Sequence, residues 1–335
     1  MNERSITYYE GYDKPLLKPI NKMLHTNEDI NKKIYNNIGH LKEFQKKYNY
    51  NDYLIYLLSI IQISLNDLYG KEINDLFYGV LNDIEIIMGR GRTDKLVKKY
   101  GCDVDPTTEG VFTNRDPKNL FTSDLYFPKD KIIMGDKSRN YTMNNIDRLD
   151  TLIHELRHAL SARLNTNRYM NDRIFYKRCG LNETYYLKYS NDNYNVANIL
   201  DEVFNVYFTN VLVSNILNYK YNNIDKYHIR RIINELEHFP NESYQSGAYD
   251  FEVKLCKPLL FNKELLKKAN YAAINGKLGS FKDLFDDYYD YADELEELSD
   301  DNVIMYSNDS ERKEEYINKV KEFKIKTLNI AERKI

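Results

Sequence analysis

The stretch Thr151–Leu160, "TLIHELRHAL", carries two of the six histidines of a 335-residue chain, four positions apart, with a glutamate directly after the first. Extended to "NNIDRLDTLIHELRHALSARL" and placed on a helix at about 100° per residue, it gathers Leu149, Leu152, Ile153, Leu156 and Leu160 into one apolar stripe. His154 and His158 fall on nearly the opposite side, one turn apart, with Glu155 at the edge of their face. The stretch therefore predicts a helix with a core back and a histidine front.

Upstream, short apolar pieces broken by Asp, Pro, Thr and Gly predict two strands, Gly110 to Thr113 in "EGVFTN" and Lys131 to Met134 in "DKIIMGD", with Pro117 and Pro128 in the loop between. This is the only β content the pattern points to. The central helix is expected to run from Asn145 to about Leu164. Beyond an Asn- and Tyr-rich connection of no definite type, Tyr194 to Lys220 reads as a second long helix, apolar around most of its circumference and so buried. From Asn27 to Met88 the pattern is again helical: Ile73, Leu76, Phe77, Val80, Leu81 and Ile84 follow the i, i+3, i+4, i+7 spacing, and Gly89 and Gly91 supply a stop. The chain after Pro240 returns to helix, and its acidic run from Asp283 to Asp301 lacks the glycine and spaced ligands of a calcium loop, so it reads as a solvated helix face. The expected fold is mainly α with a small β element (α+β), divided at most into 1–99, 100–220 and 221–335 and without a linker that forces a cut.

Composition bounds the function. Hydrophobic residues make up 42% and charged residues 30%, a globular balance, and only 13 Gly and 7 Pro favour long helices. A net charge of −3 provides no basic field for nucleic acid or an anionic membrane. The longest apolar run, "YLIYLLSIIQISL" from Tyr53 to Leu65, is too short to span a bilayer and fits a buried helix, and the first residues carry no apolar leader. Cys102, Cys179 and Cys256 are widely separated, which predicts reduced thiols and a cytoplasmic protein; one exported without a cleavable signal would read the same. The 31 tyrosines accompany many Asn, Lys and Ile residues and mark no interface.

Two imidazoles at i and i+4 can aim their nitrogens at one tetrahedral zinc about 2.0 to 2.1 Å away. Glu155 cannot easily join them as a ligand, yet it can reach a water in the open fourth position and accept its proton. HExxH arises by chance in roughly one chain of this length in a hundred, so its context must do the rest: a strongly patterned helix, histidines away from the apolar stripe and a third ligand. The Gly and His that a metzincin carries three and six residues after the second histidine are here Ser161 and Leu164, which excludes that class. A glutamate on a later helix is the other route. Glu202 in "ILDEVFNVYFTNVL" shares a narrow polar side with Asp201, Asn205 and Thr209, and a carboxylate buried there needs a partner. Glu183 in the intervening connection is the weaker candidate.

His154, Glu155 and His158 followed by a helix bearing Glu202 resemble the zincin metallopeptidases with a glutamate third ligand, the gluzincin arrangement shared in outline by thermolysin and anthrax lethal factor-like proteases. The resemblance covers about Lys131 to Val213. It implies a zincin-like peptidase core enclosed by helical N- and C-terminal regions, with zinc on His154, His158 and Glu202, Glu155 as general base and a peptide or protein as substrate. It also implies that the strand before the active-site helix, here Lys131 to Gly135, is an edge strand that pairs with extended substrate. The aspartate that thermolysin-like enzymes carry one turn after the ligand glutamate is here Val206, leaving Asp201, Asn205 or Asp150 to orient the first histidine. For the oxyanion, the position a turn or two ahead of the ligand glutamate points to Tyr194, with Tyr244, Tyr249, His228 and His238 as other candidates. The alternative to a zinc metallopeptidase is a non-catalytic zincin-like scaffold that binds a peptide or protein.

Overall fold

A computed structural model describes residues 4–9, 30–100, 104–113, 130–139, 141–167, 174–187, 193–219, 248–276 and 278–333. In chain order the elements are β1 (Arg4–Tyr9), α1 (Ile30–Tyr48), α2 (Asp52–Tyr69), α3 (Ile73–Asp83), β2 (Ile84–Met88), α4 (Thr93–Val97), β3 (Gly110–Thr113), β4 (Asp130–Met134) and α5 (Asn145–Leu160). There follow β5 (Arg163–Asn167), β6 (Ile174–Cys179), β7 (Asn182–Leu187), β8 (Asn193–Val196) and α6 (Asn198–Leu217). The chain continues with α7 (Asp250–Leu255), α8 (Lys257–Phe261), α9 (Lys263–Asn275), α10 (Gly279–Lys282), α11 (Tyr288–Asp300) and α12 (Ser310–Glu332). The protein is mainly helical with a smaller β content, and none of the described helices is long and apolar enough to cross a membrane.

Two compact units form, one from Leu16–Leu160 and Phe208–Ser246, the other from Met1–Pro15, Ser161–Tyr207 and Gly247–Ile335. One border between them falls within α6, between Tyr207 and Phe208. In the first unit α2 is the buried helix that its apolar run predicts. Asn51 caps it by accepting from the Leu54 amide, and its buried serine hydroxyls are satisfied, Ser59 donating to the Ile34 carbonyl and Ser64 to the Leu212 carbonyl. The helix expected to continue to Met88 instead ends at Asp83. Two consecutive β-branched residues, Ile86 and Ile87, suit an extended chain, and Ile84–Met88 becomes β2.

That strand alters the sheet. The order is β2-β4-β3, with β2 parallel and β3 antiparallel to β4, so the expected edge strand at Lys131 to Gly135 is in fact central. The correction follows from β2, which occupies the flank of β4 that the helical reading left open. On the far side of β2 the Ile86 amide donates to the Tyr50 hydroxyl at 2.8 Å. Burial pushes that hydroxyl well above the usual tyrosine range.

α5 starts one residue after a reciprocal cap: the Asn144 side chain accepts from the Ile146 and Asp147 amides, and the Asp147 carboxylate accepts from the Asn144 amide. It stops at Leu160, four residues before the expected end, because Arg163–Asn167 enters a sheet.

The second unit holds what the sequence pattern missed most. The Asn- and Tyr-rich connection is β-structure, a five-stranded antiparallel sheet ordered β1-β5-β6-β7-β8. Its strands carry Tyr, Thr, Phe and Ile among polar residues, a composition suited to a half-buried pleated surface but without sharp alternation. β6 and β7 meet in a two-residue loop opened by Gly180, whose φ of +63° suits a residue without a Cβ. Asp201 accepts from the following Leu181 amide at 2.8 Å, and its carboxylate oxygen lies 2.6 Å from where a Cβ on Gly180 would sit. Helices α7 to α12 complete the unit around a cluster of Phe281, Phe285, Tyr288, Tyr291 and Phe323. In the acidic run Tyr291, Leu295 and Leu298 face inward, while Asp290 and Glu294 both pair with Lys326.

α6 begins at Asn198 rather than Tyr194, since Tyr194 lies on β8 and Ala197, at φ +60°, breaks the chain direction between the two. Its first turn is capped from another helix: Glu296 on α11 accepts from the Asn198 amide at 2.7 Å and the Ile199 amide at 3.3 Å. Burial raises the Glu296 carboxyl above its ordinary range, partly offset by those two amides. Glu296→Ala should lower the unfolding free energy by about 1 kcal/mol, the ordinary cost of removing a helix cap. Glu296→Gln, which keeps an acceptor oxygen, should cost less; paired urea denaturation curves measure both.

Candidate metal centre on α5 and α6

The back of α5 is buried as the stripe requires, with Leu149, Leu152, Ile153, Leu156 and Leu160 each at most 2% exposed. His154 and His158 are half-buried on the other side. Their Nε2 atoms stand 3.2 Å apart, with the rings edge to face at 76°. Two ligands of a tetrahedral zinc at 2.0 to 2.1 Å are separated by about 3.3 to 3.4 Å, so the pair already has nearly the spacing that a shared ion imposes. A single N–H···N hydrogen bond between the rings would also bring them this close.

Glu155 points elsewhere. It is buried, and its side chain lies along the start of β3, where a Cβ on Gly110 would stand 3.1 Å from its Cγ and 3.3 Å from its Oε1. Arg157, also buried, donates to the Tyr69 hydroxyl and sets its guanidinium 4.6 Å from the centre of the Phe208 ring on α6. Since α6 is one continuous helix, Glu202, six residues before Phe208, is carried about 9 Å along the same axis. The ligand atoms of His154, His158 and Glu202 gather within 4.8 Å of one another, and all three residues are partly accessible. Among the described residues this is the group of three side chains able to hold a metal ion. At its outer limit the spacing exceeds a tetrahedral edge by roughly 1.5 Å.

The other candidates sort by what already holds them. Glu183, on β7, is buried and ion-paired with Lys282 at 2.5 Å. Asp201 is spent on the β6–β7 loop, which leaves Asp150, buried one turn before His154, and Asn205, buried one turn after Glu202, as the residues that could orient a histidine. Tyr194 is 54% exposed on β8, and its hydroxyl donates to Asp293 on α11, a bond that pushes the phenol up to about 12. Serving an oxyanion would require Tyr194 to release that carboxylate. Tyr249 precedes α7 in a left-handed conformation at φ +53°, while Tyr244, His228 and His238 lie outside the described residues. Gly110 drew attention in the sequence only as the first residue of a strand; its contact with Glu155 spans 45 positions and leaves no local signal.

No family model, no curated protein and no solved structure matches the chain. The functional reading therefore rests on the chain's own geometry.

Glu183→Ala should leave Lys282 facing a mostly buried site without its carboxylate. Because Lys282 retains some hydration, the loss should be about 2 kcal/mol of stability rather than the larger cost of a fully buried pair. Zinc uptake should be unchanged, as read by titration of the folded variant with the metal.

Proposed function

We propose that the protein is a zinc-dependent metallopeptidase with a zincin-like core of the gluzincin type, in which His154, His158 and Glu202 hold the metal and Glu155 is the general base. The observation that carries this reading is the 3.2 Å approach of the two Nε2 atoms in a cluster that Glu202 completes. Two neutral imidazoles and one carboxylate form a donor set typical of catalytic zinc, with one position left over. Bound there, zinc would supply Lewis acidity to a peptide carbonyl and to water.

The residues divide the rest of the work. Glu155, adjacent in sequence to a ligand but turned toward β3, accepts a proton from the attacking water and passes it toward the leaving amine. The substrate is a peptide or protein. With β4 central, the strand beside α5 that has one described neighbour is β3, so extended substrate would lie along Gly110–Thr113 in place of Lys131 to Gly135. A second reading, a zincin-like scaffold that binds a peptide without cutting it, draws support from one observation: the Tyr194 hydroxyl is already engaged by Asp293.

Purified protein should contain about one zinc per chain, removable by chelator, and Glu202→Ala should weaken metal binding at least tenfold. Elemental analysis and competition with a chromophoric chelator test this. A folded protein that takes up no zinc would overturn the peptidase and the scaffold together.

Glu155→Gln keeps the size of the side chain and removes the base. Zinc content should persist while hydrolysis of a quenched peptide library falls by a factor of roughly a hundred or more. Equal turnover by the two proteins would remove Glu155 from its role, and zinc-loaded wild type that binds but cleaves no peptide would favour the scaffold.

A further inference from the structure

β3 approaches α5 closely at Gly110. A Cβ placed on Gly110 would stand 2.5 Å from Thr151 Cγ2, 3.1 Å from Glu155 Cγ and 3.3 Å from Glu155 Oε1. The first distance is prohibitive. The other two are tight enough that the Glu155 side chain would have to give by a few tenths of an ångström.

β3 cannot easily retreat to make that room. The Glu109 carbonyl, one residue before Gly110, accepts from Thr93 Oγ1 at 2.6 Å, and the same oxygen of Thr93 accepts from the Gly135 amide at 2.9 Å, just after β4. The Glu109 side chain accepts from Tyr141 and, at 3.3 Å, from Thr151 Oγ1, which ties the strand to α5 itself. Beyond Glu109, residues Gly110 to Thr113 are held in register against Met134 to Lys131. The strand start is therefore clamped to both the sheet and the helix, with the Glu155 side chain against it.

We propose that Gly110 is a positioning residue for Glu155: the missing side chain at the first residue of β3 lets the clamped strand set where the Glu155 carboxylate stands. The proposal rests on the reading of Glu155 as the base. A group transferring protons has to be held to a fraction of an ångström, and a misplacement of 1 Å costs on the order of a hundredfold in rate. A shift of 0.3 to 0.5 Å would by the same scale cost roughly three- to tenfold.

The test separates packing from positioning by removing the worse contact alone. Gly110→Ala should lower both Tm and kcat, because Thr151 is β-branched and stiff on its helix. In Gly110→Ala with Thr151→Ser the clashing methyl is gone, while the hydroxyl that donates to Glu109 and to the Asp147 carbonyl remains. This double variant should recover the Tm of Thr151→Ser and bind zinc as the wild type does. Its kcat should stay roughly three- to tenfold low with KM little changed. High-resolution crystal structures of Thr151→Ser and the double variant should show the Glu155 carboxylate moved by a few tenths of an ångström or in another rotamer. Recovery of kcat together with Tm, or a Glu155 carboxylate that superposes in the two structures, would overturn the proposal and reduce Gly110 to a packing glycine. Should the wild type prove to cleave no peptide, the peptidase reading fails by that result, and the position of Glu155 in the crystals still decides this one.

Discussion

The constraint on which the rest depends is that α5 must be buried on its back and gripped at its side while its histidine edge stays accessible. Five of its leucines and isoleucines are sealed from water, and burying one such side chain is worth roughly 1.5 to 3 kcal/mol, so the helix cannot roll about its axis without losing several. That fixes the direction of every other residue on it. The clamp of Glu109 between Thr93, Tyr141 and Thr151 adds a hydrogen-bonded stop on one flank. Arg157, stacked over Phe208 and donating to Tyr69, provides a second stop. Side chains on such a helix lose little further entropy on adopting one working geometry.

α6 poses the complementary problem. It is apolar on most sides, yet it buries Asp201, Asn205 and Thr209 next to the partly accessible Glu202, and buried polar groups cost free energy unless each finds a partner. Asp201 meets this demand locally through the β6–β7 loop, and Glu296 meets it for the free amides of the first turn. Glu202 is the carboxylate whose neighbours are two imidazoles. One acid on this polar side serves the fold and the adjacent one stands near two histidines, although in the sequence they are two consecutive acidic letters.

Legibility followed the strength of local pattern. α2, α5 and the pair β3 and β4 were readable because each combines a clear apolar period with a nearby breaker: Asn51 before α2, Asn144 before α5, and Gly110 and Gly135 at the strand ends. β2 was not, since Ile84 continues the helical spacing of α3 and only pairing with β4 makes the extended form preferable. The sheet of β5 to β8 was hidden for a different reason. Tyr, Asn, Thr and Lys alternate there without strong contrast in hydrophobicity, and long-range pairing that includes the remote β1 supplies the order. At the site, His154, Glu155 and His158 could be placed by helical geometry alone. The commitment of Asp201 and Glu183 to structural partners, and the pressure of Gly110 on Glu155, depend on contacts that no local window contains.

A chance HExxH and a working one differ in what surrounds the letters that are not ligands. On a solvated helix Glu155 and Arg157 would extend into water, where burying either charged group offers no gain. Here both are buried, 7% and 6% exposed, and on separate partners: the glutamate against a strand that leaves no room for a methyl group, the arginine between a phenol and an aromatic ring. Desolvating a carboxylate works against folding, so a helix that buries Glu155 accepts a cost that a solvated helix avoids.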